Sequence, residues 1–358
     1  MNPNTKSSVD SFRRMSFITV VAVYFLILVG GIVRSTGSGM GCPDWPMCFG
    51  SVIPPTDVSQ LPVNYQEVYL ELRLAKNERF TATLEKLGFK ETANLIANDK
   101  SILIEEEFNA TKTWIEYINR LIGVVVGLFI LLTVWKSFKL WKVDKWIPIH
   151  SILSLVLVLF TGWIGSIVVS TNLLPWMITF HMLLALALVA VLLYVNHRSQ
   201  RLDRSQITHV DVPAKIQWIL ILGTFLMLIQ IVLGTQVREQ LDKVAFDLGG
   251  LLREEWVEKS GAKFLIHRSF SLVILALHLV YFYWAYRFSP RNSKVTVLSQ
   301  LLFLVLLLEI TSGVGMAYFG IPAFLQPIHL LLGSLLVGIQ LLLILQFKDH
   351  IRIKLNTN

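Results

Sequence analysis

The chain has 358 residues, of which 54% are hydrophobic and 16% charged, with mean hydropathy +0.60 and a formal net charge of +8. A water-soluble domain carries about 25% charged residues, so this composition excludes an ordinary soluble enzyme and points to a bilayer. No basic–aromatic motif accompanies the positive charge, so no nucleic-acid partner is expected, and no P-loop, Rossmann, zinc-hydrolase or Ser-His-Asp pattern is present.

Residues 1–14 form a polar tail with Lys6, Arg13 and Arg14. The first apolar stretch, 15–34, has no small-residue cleavage site after it, and a retained helix that also directs insertion is favoured over a cleaved signal. A long loop, 35–113, follows; its stretch 64–109 has helical periodicity and predicts one or two amphipathic helices on the membrane surface. Further stretches of bilayer length lie at 114–135, 148–169, 175–195, 214–236, 264–285, 296–316 and 323–346. The expectation is an all-α integral membrane protein with eight transmembrane helices. An N-terminal four-helix bundle spans 15–195, a linker 196–213, a C-terminal four-helix bundle 214–346 and a tail 347–358. The loop at 239–263 is shorter and acidic.

Basic residues orient the bundle. With the N-terminus cytoplasmic, the cytoplasmic segments carry Lys6, Arg13, Arg14, Lys136, Lys139, Lys142, Lys145, Arg198, Arg201, Arg204, Lys215, Arg287, Arg291, Lys294, Lys348, Arg352 and Lys354. Opposing them are only Asp10, Asp144, Asp203, Asp211 and Asp349. This obeys the positive-inside rule at every short loop, and it places both termini in the cytoplasm of a cell whose inner membrane holds the chain. Cys42 and Cys48 then lie in the first outer loop, in an oxidising compartment. A small disulfide loop is one reading, metal binding the other, though two thiolates alone make a thin metal site.

Four His/Asn positions recur in matched pairs near the outer ends of the even-numbered spans. Asn119 and His181 are 62 residues apart, as are His267 and His329, and the pairs are offset by 148. Other segments repeat in the same order. Gly30-Gly31-Ile32-Val33-Arg34 matches Gly234-Thr235-Gln236-Val237-Arg238, Asn119-Arg120 matches His267-Arg268, and Thr161-Gly162-Trp163-Ile164-Gly165 matches Thr311-Ser312-Gly313-Val314-Gly315. The pattern predicts a parallel tandem duplication about an axis along the membrane normal. A histidine at membrane depth is costly unless bonded or bound, and two facing imidazoles suit a heme iron or a similar metal.

Arg34, Arg120, Arg238 and Arg268 flank these positions; each could pair with a ligand carboxylate or snorkel to the headgroups. Glu116 lies one turn before Asn119, where it either moves protons and stabilises positive charge or partners Arg120 or Arg34. Its counterpart is Phe264, so only the first half is expected to carry an acid beside its site. His278, deeper in the sixth span, is expected to be packed and hydrogen-bonded; His150 lies at the far end, and His197, His209 and His350 read as solvated. Glu309 is an intramembrane carboxylate and a functional suspect, either protonated or bonded to a neighbouring helix.

The run from Gly31 through Arg34-Ser35-Thr36-Gly37-Ser38-Gly39-Met40-Gly41-Cys42-Pro43-Asp44-Trp45-Pro46-Met47 to Cys48 closely resembles the opening motif of the heme A synthase family. Glu116-Tyr117-Ile118-Asn119-Arg120, His181, His267-Arg268 and His329 extend the likeness over nearly the whole chain. The resemblance implies oxidation of the C8 methyl of heme O to a formyl group, giving heme A for terminal oxidases. It implies an iron-containing heme b cofactor on His267 and His329, a substrate pocket around His181, and Glu116 as the catalytic acid. A heme O synthase and an electron donor are the implied partners, alongside the lipid bilayer and a possible homo-oligomer. One departure is marked: the family has histidine where this chain has Asn119, a poor iron ligand. His181 as the only protein ligand, a water beside Asn119, or another side chain swinging in are the open explanations. A diheme cytochrome b or a heme carrier is the rival function.

Overall fold

A computed structural model describes residues 2–98, 107–171, 173–202, 213–289 and 293–356; of Pro175 and residues 348–356 it describes the backbone alone. Asp203, Arg204, His209, Asp211 and Arg291, with the side chains of Lys348, Asp349, His350, Arg352 and Lys354, lie outside the described residues. Among the described residues there are eleven α-helices and no strand. They are α1 (Pro3–Ser35), α2 (Tyr65–Lys86), α3 (Lys90–Ala97), α4 (Ala110–Phe138), α5 (Trp146–Ser170), α6 (Pro175–Arg201), α7 (Ala214–Asp247), α8 (Trp256–Lys259), α9 (Ala262–Phe288), α10 (Lys294–Tyr318) and α11 (Leu325–Asn356). Eight of them, all but α2, α3 and α8, are long and apolar enough to cross a membrane.

The polar tail is not separate from the first span. Pro3 opens α1 after Asn2, whose side chain accepts the Asn4 N–H at 3.3 Å, a capped start with proline where its missing donor costs nothing. Val9 and Phe12, one turn apart, are fully buried against Leu140, Ile147 and Val195, and that contact carries the helix through the expected tail. Likewise α7 runs past 236 to Asp247, because Val237, Leu241 and Val244 continue an apolar stripe that packs on Trp256 and Ile321. The surface segment does form two helices, but α2 buries Tyr69, Arg73 and Asn77 rather than an apolar stripe.

Helices α1, α4, α5 and α6 pack as one group, with α1 and α5 each touching both α4 and α6. Helices α7, α9, α10 and α11 pack as another, with α7 and α10 each touching both α9 and α11. In each group the two helices that carry the His/Asn positions therefore face each other diagonally. Contacts of α11 with α1 and α6, and of α6 with α7, join the groups. Trp135, Leu159 and Trp218 are among the large apolar side chains on the outside, as expected where lipid is the solvent. The described basic residues Lys136, Lys139, Lys142, Lys145, Arg198, Lys215, Arg287 and Lys294 collect at the end holding the N-terminus; Cys42 and Cys48 are at the other, here termed the loop end.

The join between the groups is tight at one glycine. A Cβ on Gly31 would sit 2.9 Å from Cα of Pro327, whereas one on Gly30 would meet nothing within 4 Å. Gly31→Ala is expected to destabilise by about 1–3 kcal/mol through overpacking, while Gly30→Ala should be neutral or stabilise by up to about 1 kcal/mol through helix propensity. Thermal unfolding of the two variants in detergent checks the contrast.

Candidate functional site

One face of α4 grips the loop. Cys42 and Cys48 form a disulfide with Cα atoms 4.8 Å apart, which settles their role against metal binding. Thr113, Glu116 and Arg120 lie at i, i+3 and i+7 on α4, one stripe of the helix. Thr113 donates its hydroxyl to the Gly41 carbonyl at 2.8 Å. Glu116, 3% exposed, accepts the Cys42 N–H at 2.8 Å on one oxygen and Arg120 at 2.5 Å on the other. The Arg120 guanidinium also donates to the carbonyls of Asp44 at 2.6 Å, Met47 at 2.8 Å and Cys42 at 3.0 Å. Asp44 closes the loop from within by accepting the Phe49 and Gly50 N–H groups at 2.6 and 2.8 Å. A Cβ on Gly41 would lie 2.6 Å from the Lys112 carbonyl carbon, so only glycine lets the loop lie this close. Arg120 is thus a loop clamp, and Glu116 is its partner.

The histidines share a second device. His181, His267 and His329 are all half-buried near the loop end, and each rests its Cε1 on a glycine. A Cβ would approach it to 3.3 Å at Gly165 for His181, 3.2 Å at Gly234 for His267 and 3.3 Å at Gly313 for His329. His278 sits on Gly223 at 3.3 Å in the same manner. By their seats Gly165 pairs with Gly313 and Thr161 with Glu309, two residues away from the sequence pairing of Thr161–Gly165 with Thr311–Gly315. The backbone of Thr161 lies beside His181 just as that of Glu309 lies beside His329. Gly315 instead meets Leu325.

His267 and His329 face each other with ring centres 6.5 Å apart and planes at 71°. Two imidazoles on one metal, at about 2 Å per bond, need ring centres about 6 Å apart, so the pair fits a bis-imidazole iron. Ser312 donates its hydroxyl to the Glu309 carbonyl at 2.8 Å, so it accepts from His329 Nδ1–H at 2.9 Å. That makes Nδ1 the donor and Nε2 the nitrogen available to a ligand, as is usual around a metal-binding histidine; Glu309 Oε1 lies 3.3 Å from that nitrogen. Gln230 on α7 donates to the His267 carbonyl at 3.0 Å. Nδ1 of His267, Nδ1 of His181 and Oδ1 of Asn119 are buried without a hydrogen bond.

Two expectations are corrected here. The first half is not alone in carrying an acid: Glu309 Oε1 lies 3.3 Å from His329 Nε2, and its Oε2 is buried without a partner. Nor is His197 solvated; it is 4% exposed, buried where α6 packs on the N-terminal turns of α1. His278 is bonded as expected. Its Nδ1 donates to the Ile274 carbonyl at 2.8 Å and its Nε2 accepts from Gln340 at 2.7 Å, so neither nitrogen is left for a metal.

The arginines are already engaged. Arg34 on α1 and Arg238 on α7 both pair with Asp242, and Arg238 also reaches Gln326. One carboxylate thus joins the two helix groups at the loop end. Arg268 is exposed and lies over the Phe264 ring at 5.8 Å. Ser312, Gln230 and Asp242 were not singled out from sequence. Asp242 alone left a signal, as the acid four residues after Arg238 on one helix.

The fold and site define an eight-span helical membrane bundle with a facing histidine pair and a disulfide-stapled loop. The COX15-CtaA family, described as cytochrome oxidase assembly protein, matches residues 13–83 and 80–341. The chain belongs to that family. It is 23% identical over 350 residues to the heme A synthase of Shouchella clausii, covering 94% of this chain and 97% of that protein. It is 24% identical over 331 residues to the heme A synthase of Bartonella tribocorum, covering 85% and 83%. With the heme A synthase of Shewanella oneidensis it shares 26% identity over 219 residues, 61% of this chain and 54% of that protein.

Arg120→Gln removes a charged donor from three loop carbonyls and from Glu116. Hydrogen bonds to charged groups contribute about 1.5–3 kcal/mol, so proteolysis within 42–51 should accelerate by about tenfold or more. Digestion of detergent-purified protein, with the disulfide intact, measures it.

Proposed function

We propose that this protein is a heme A synthase, oxidising the C8 methyl of heme O to a formyl group to give heme A for terminal oxidases. The observation that carries the reading is the His267–His329 pair at iron-spanning separation, in a family member whose other pocket has a single imidazole. In this reading the chain is a parallel duplication. The bundle at 15–195, with loop 35–113, takes the substrate beside His181, Asn119, Arg34 and Arg120. The bundle at 214–346 keeps heme b on His267 and His329, with Arg238 and Arg268 nearby. Heme b supplies one-electron transfer when bound.

The chain's own residues do the rest. Ser312 holds His329 in the ligating tautomer, and Gly234 and Gly313 set the ring positions. In each of two rounds the methyl carbon would lose two electrons to an external electron acceptor and two protons to base and solvent, and gain one hydroxyl from water, giving a hydroxymethyl and then a gem-diol that loses water. Glu116 keeps spare lone pairs beside its two hydrogen bonds; it takes a proton or stabilises positive charge at the reacting carbon. The stapled loop, clamped by Arg120, covers the pocket against bulk water. The farnesyl tail of heme O lies between helices in lipid, which is why the site is in a membrane.

A heme O synthase supplies the substrate and an electron partner completes the cycle. The basic residues at the N-terminal end support a bacterial inner-membrane location with cytoplasmic termini and both heme sites near the periplasmic face.

The test is heme extraction and mass analysis of membranes expressing the chain with a heme O source. Heme A is expected from wild type. Glu116→Gln keeps an acceptor for Cys42 but loses the Arg120 ion pair. With the three carbonyl bonds of Arg120 remaining, it should keep more of the loop's protease resistance than Glu116→Ala, yet accumulate heme O or hydroxymethyl heme, with heme A falling about tenfold or more, within the range of a general acid–base group. Glu116→Ala should lose both the heme A and the loop's protease resistance. No heme A from folded wild type with heme O and electrons supplied would favour the diheme cytochrome or carrier.

A further inference from the structure

We infer that the first pocket holds its heme through His181 alone and keeps the opposite face open to a small exogenous ligand, with Asn119 as the hydrogen-bonding group on that face. The inference rests on the heme-pocket reading above and decides what the departure at Asn119 means.

Internal comparison carries it. Asn119 occupies on α4 the place that His267 occupies on α9, at the same 62-residue distance from a glycine-seated histidine. His267 fills its glycine seat: a Cβ on Gly234 would lie 3.2 Å from its ring. The matching glycine in the first half is Gly30, and a Cβ there would meet nothing within 4 Å. The position on α1 that matches the His267 seat is therefore unfilled, with no side chain within 4 Å of a Cβ placed there. Asn119 Oδ1 is buried and has no partner. Glu116, one turn away, is turned to Cys42 and Arg120 through both oxygens, so it does not reach across as a substitute ligand.

An amide oxygen is a hard donor that competes poorly for heme iron, which prefers imidazole, thiolate or thioether. A carboxamide with a free acceptor and an N–H₂ donor is instead suited to hold a water or a diatomic molecule. The two pockets thus differ in kind: the second is closed by two imidazoles, while the first presents one open coordination face beside a polar group.

The experiment loads the detergent-purified full chain with hemin, counts hemes per chain and records ferric electron paramagnetic resonance, then reduces the sample and adds CO. The expected result is two hemes per chain, one low-spin and inert to CO, one high-spin that binds it. Asn119→His should convert the second to low-spin and lower its CO affinity by about tenfold or more. Should that variant fail to fold, Asn119→Leu serves: it should remain high-spin while shifting the CO stretching frequency, since the amide no longer touches the ligand. His181→Ala should lose the CO-binding heme and keep the other. Two low-spin, CO-inert hemes in wild type would overturn the inference and leave the pocket reading intact, as would a CO stretch unmoved in Asn119→Leu for the part given to Asn119. Failure to take up a second heme would overturn the pocket reading itself.

Discussion

The contact on which the rest of this structure depends is that between an imidazole and a glycine on the neighbouring helix. A histidine at membrane depth has no water to satisfy it, so the fold must fix where its two nitrogens point. Here a missing Cβ on a neighbouring helix does so, at Gly165, Gly223, Gly234 and Gly313. Each glycine lets the Cε1 edge of the ring approach a helix backbone, so packing sets the ring's place and, at His329 and His278, polar partners set its orientation. Where both nitrogens also find partners, as at His278 with Ile274 and Gln340, the residue is structural. At His181 and His267 Nδ1 is buried beside the backbone of Thr161 and Gln230, which leaves Nε2 as the nitrogen that the proposed function would use.

The halves differ in how they use acid. In the first, Glu116 faces the loop and is tied by Arg120 into a lid that carries the disulfide. In the second, Glu309 comes from α10, on the far side of the pair, and touches the His329 ring without a cation beside it. The two carboxylates are not repeat-related, since Glu309 corresponds to Thr161 and Glu116 to Phe264. The two carboxylates thus stand on different helices of their groups, Glu116 on α4 and Glu309 on α10.

Much of the architecture was legible in the sequence because a bilayer imposes length and hydropathy so strictly. The eight spans, the buried His278 and helix formation in the surface segment follow from pattern alone; the disulfide was one of two readings, and the amphipathic stripe expected of the surface segment is absent from α2. What was not legible has physical causes. Helix ends depend on tertiary contacts, so Phe12 extending α1 and Leu241 extending α7 were invisible to local hydropathy. The roles of Glu116 and Arg120 were ambiguous because a carboxylate beside a pocket and one beneath a loop have the same local sequence. The glycines were noticed as close-approach positions, but which histidine each supports depends on helix rotation. That also explains the two-residue slip between Thr161–Gly165 and Thr311–Gly315. Ser312 could not be found without the tertiary fold, because a hydroxyl on a long helix bonds its own backbone far more often than a metal-binding ring.

Asp242 has a consequence for how the halves behave together. It stands on α7 yet pairs with Arg34 of α1 as well as with Arg238 of its own helix, and Gly31 lies in the same stretch of α1, pressed on Pro327 of α11. The loop ends of the two groups are thus fastened by a charge and by backbone contact within one turn of each other. If each group takes a ligand, as proposed, spreading the helices around one pocket would strain that fastening and so reach the other. Linkage then makes the influence mutual: if filling one pocket eases entry to the other, the second occupant tightens the hold on the first by the same factor.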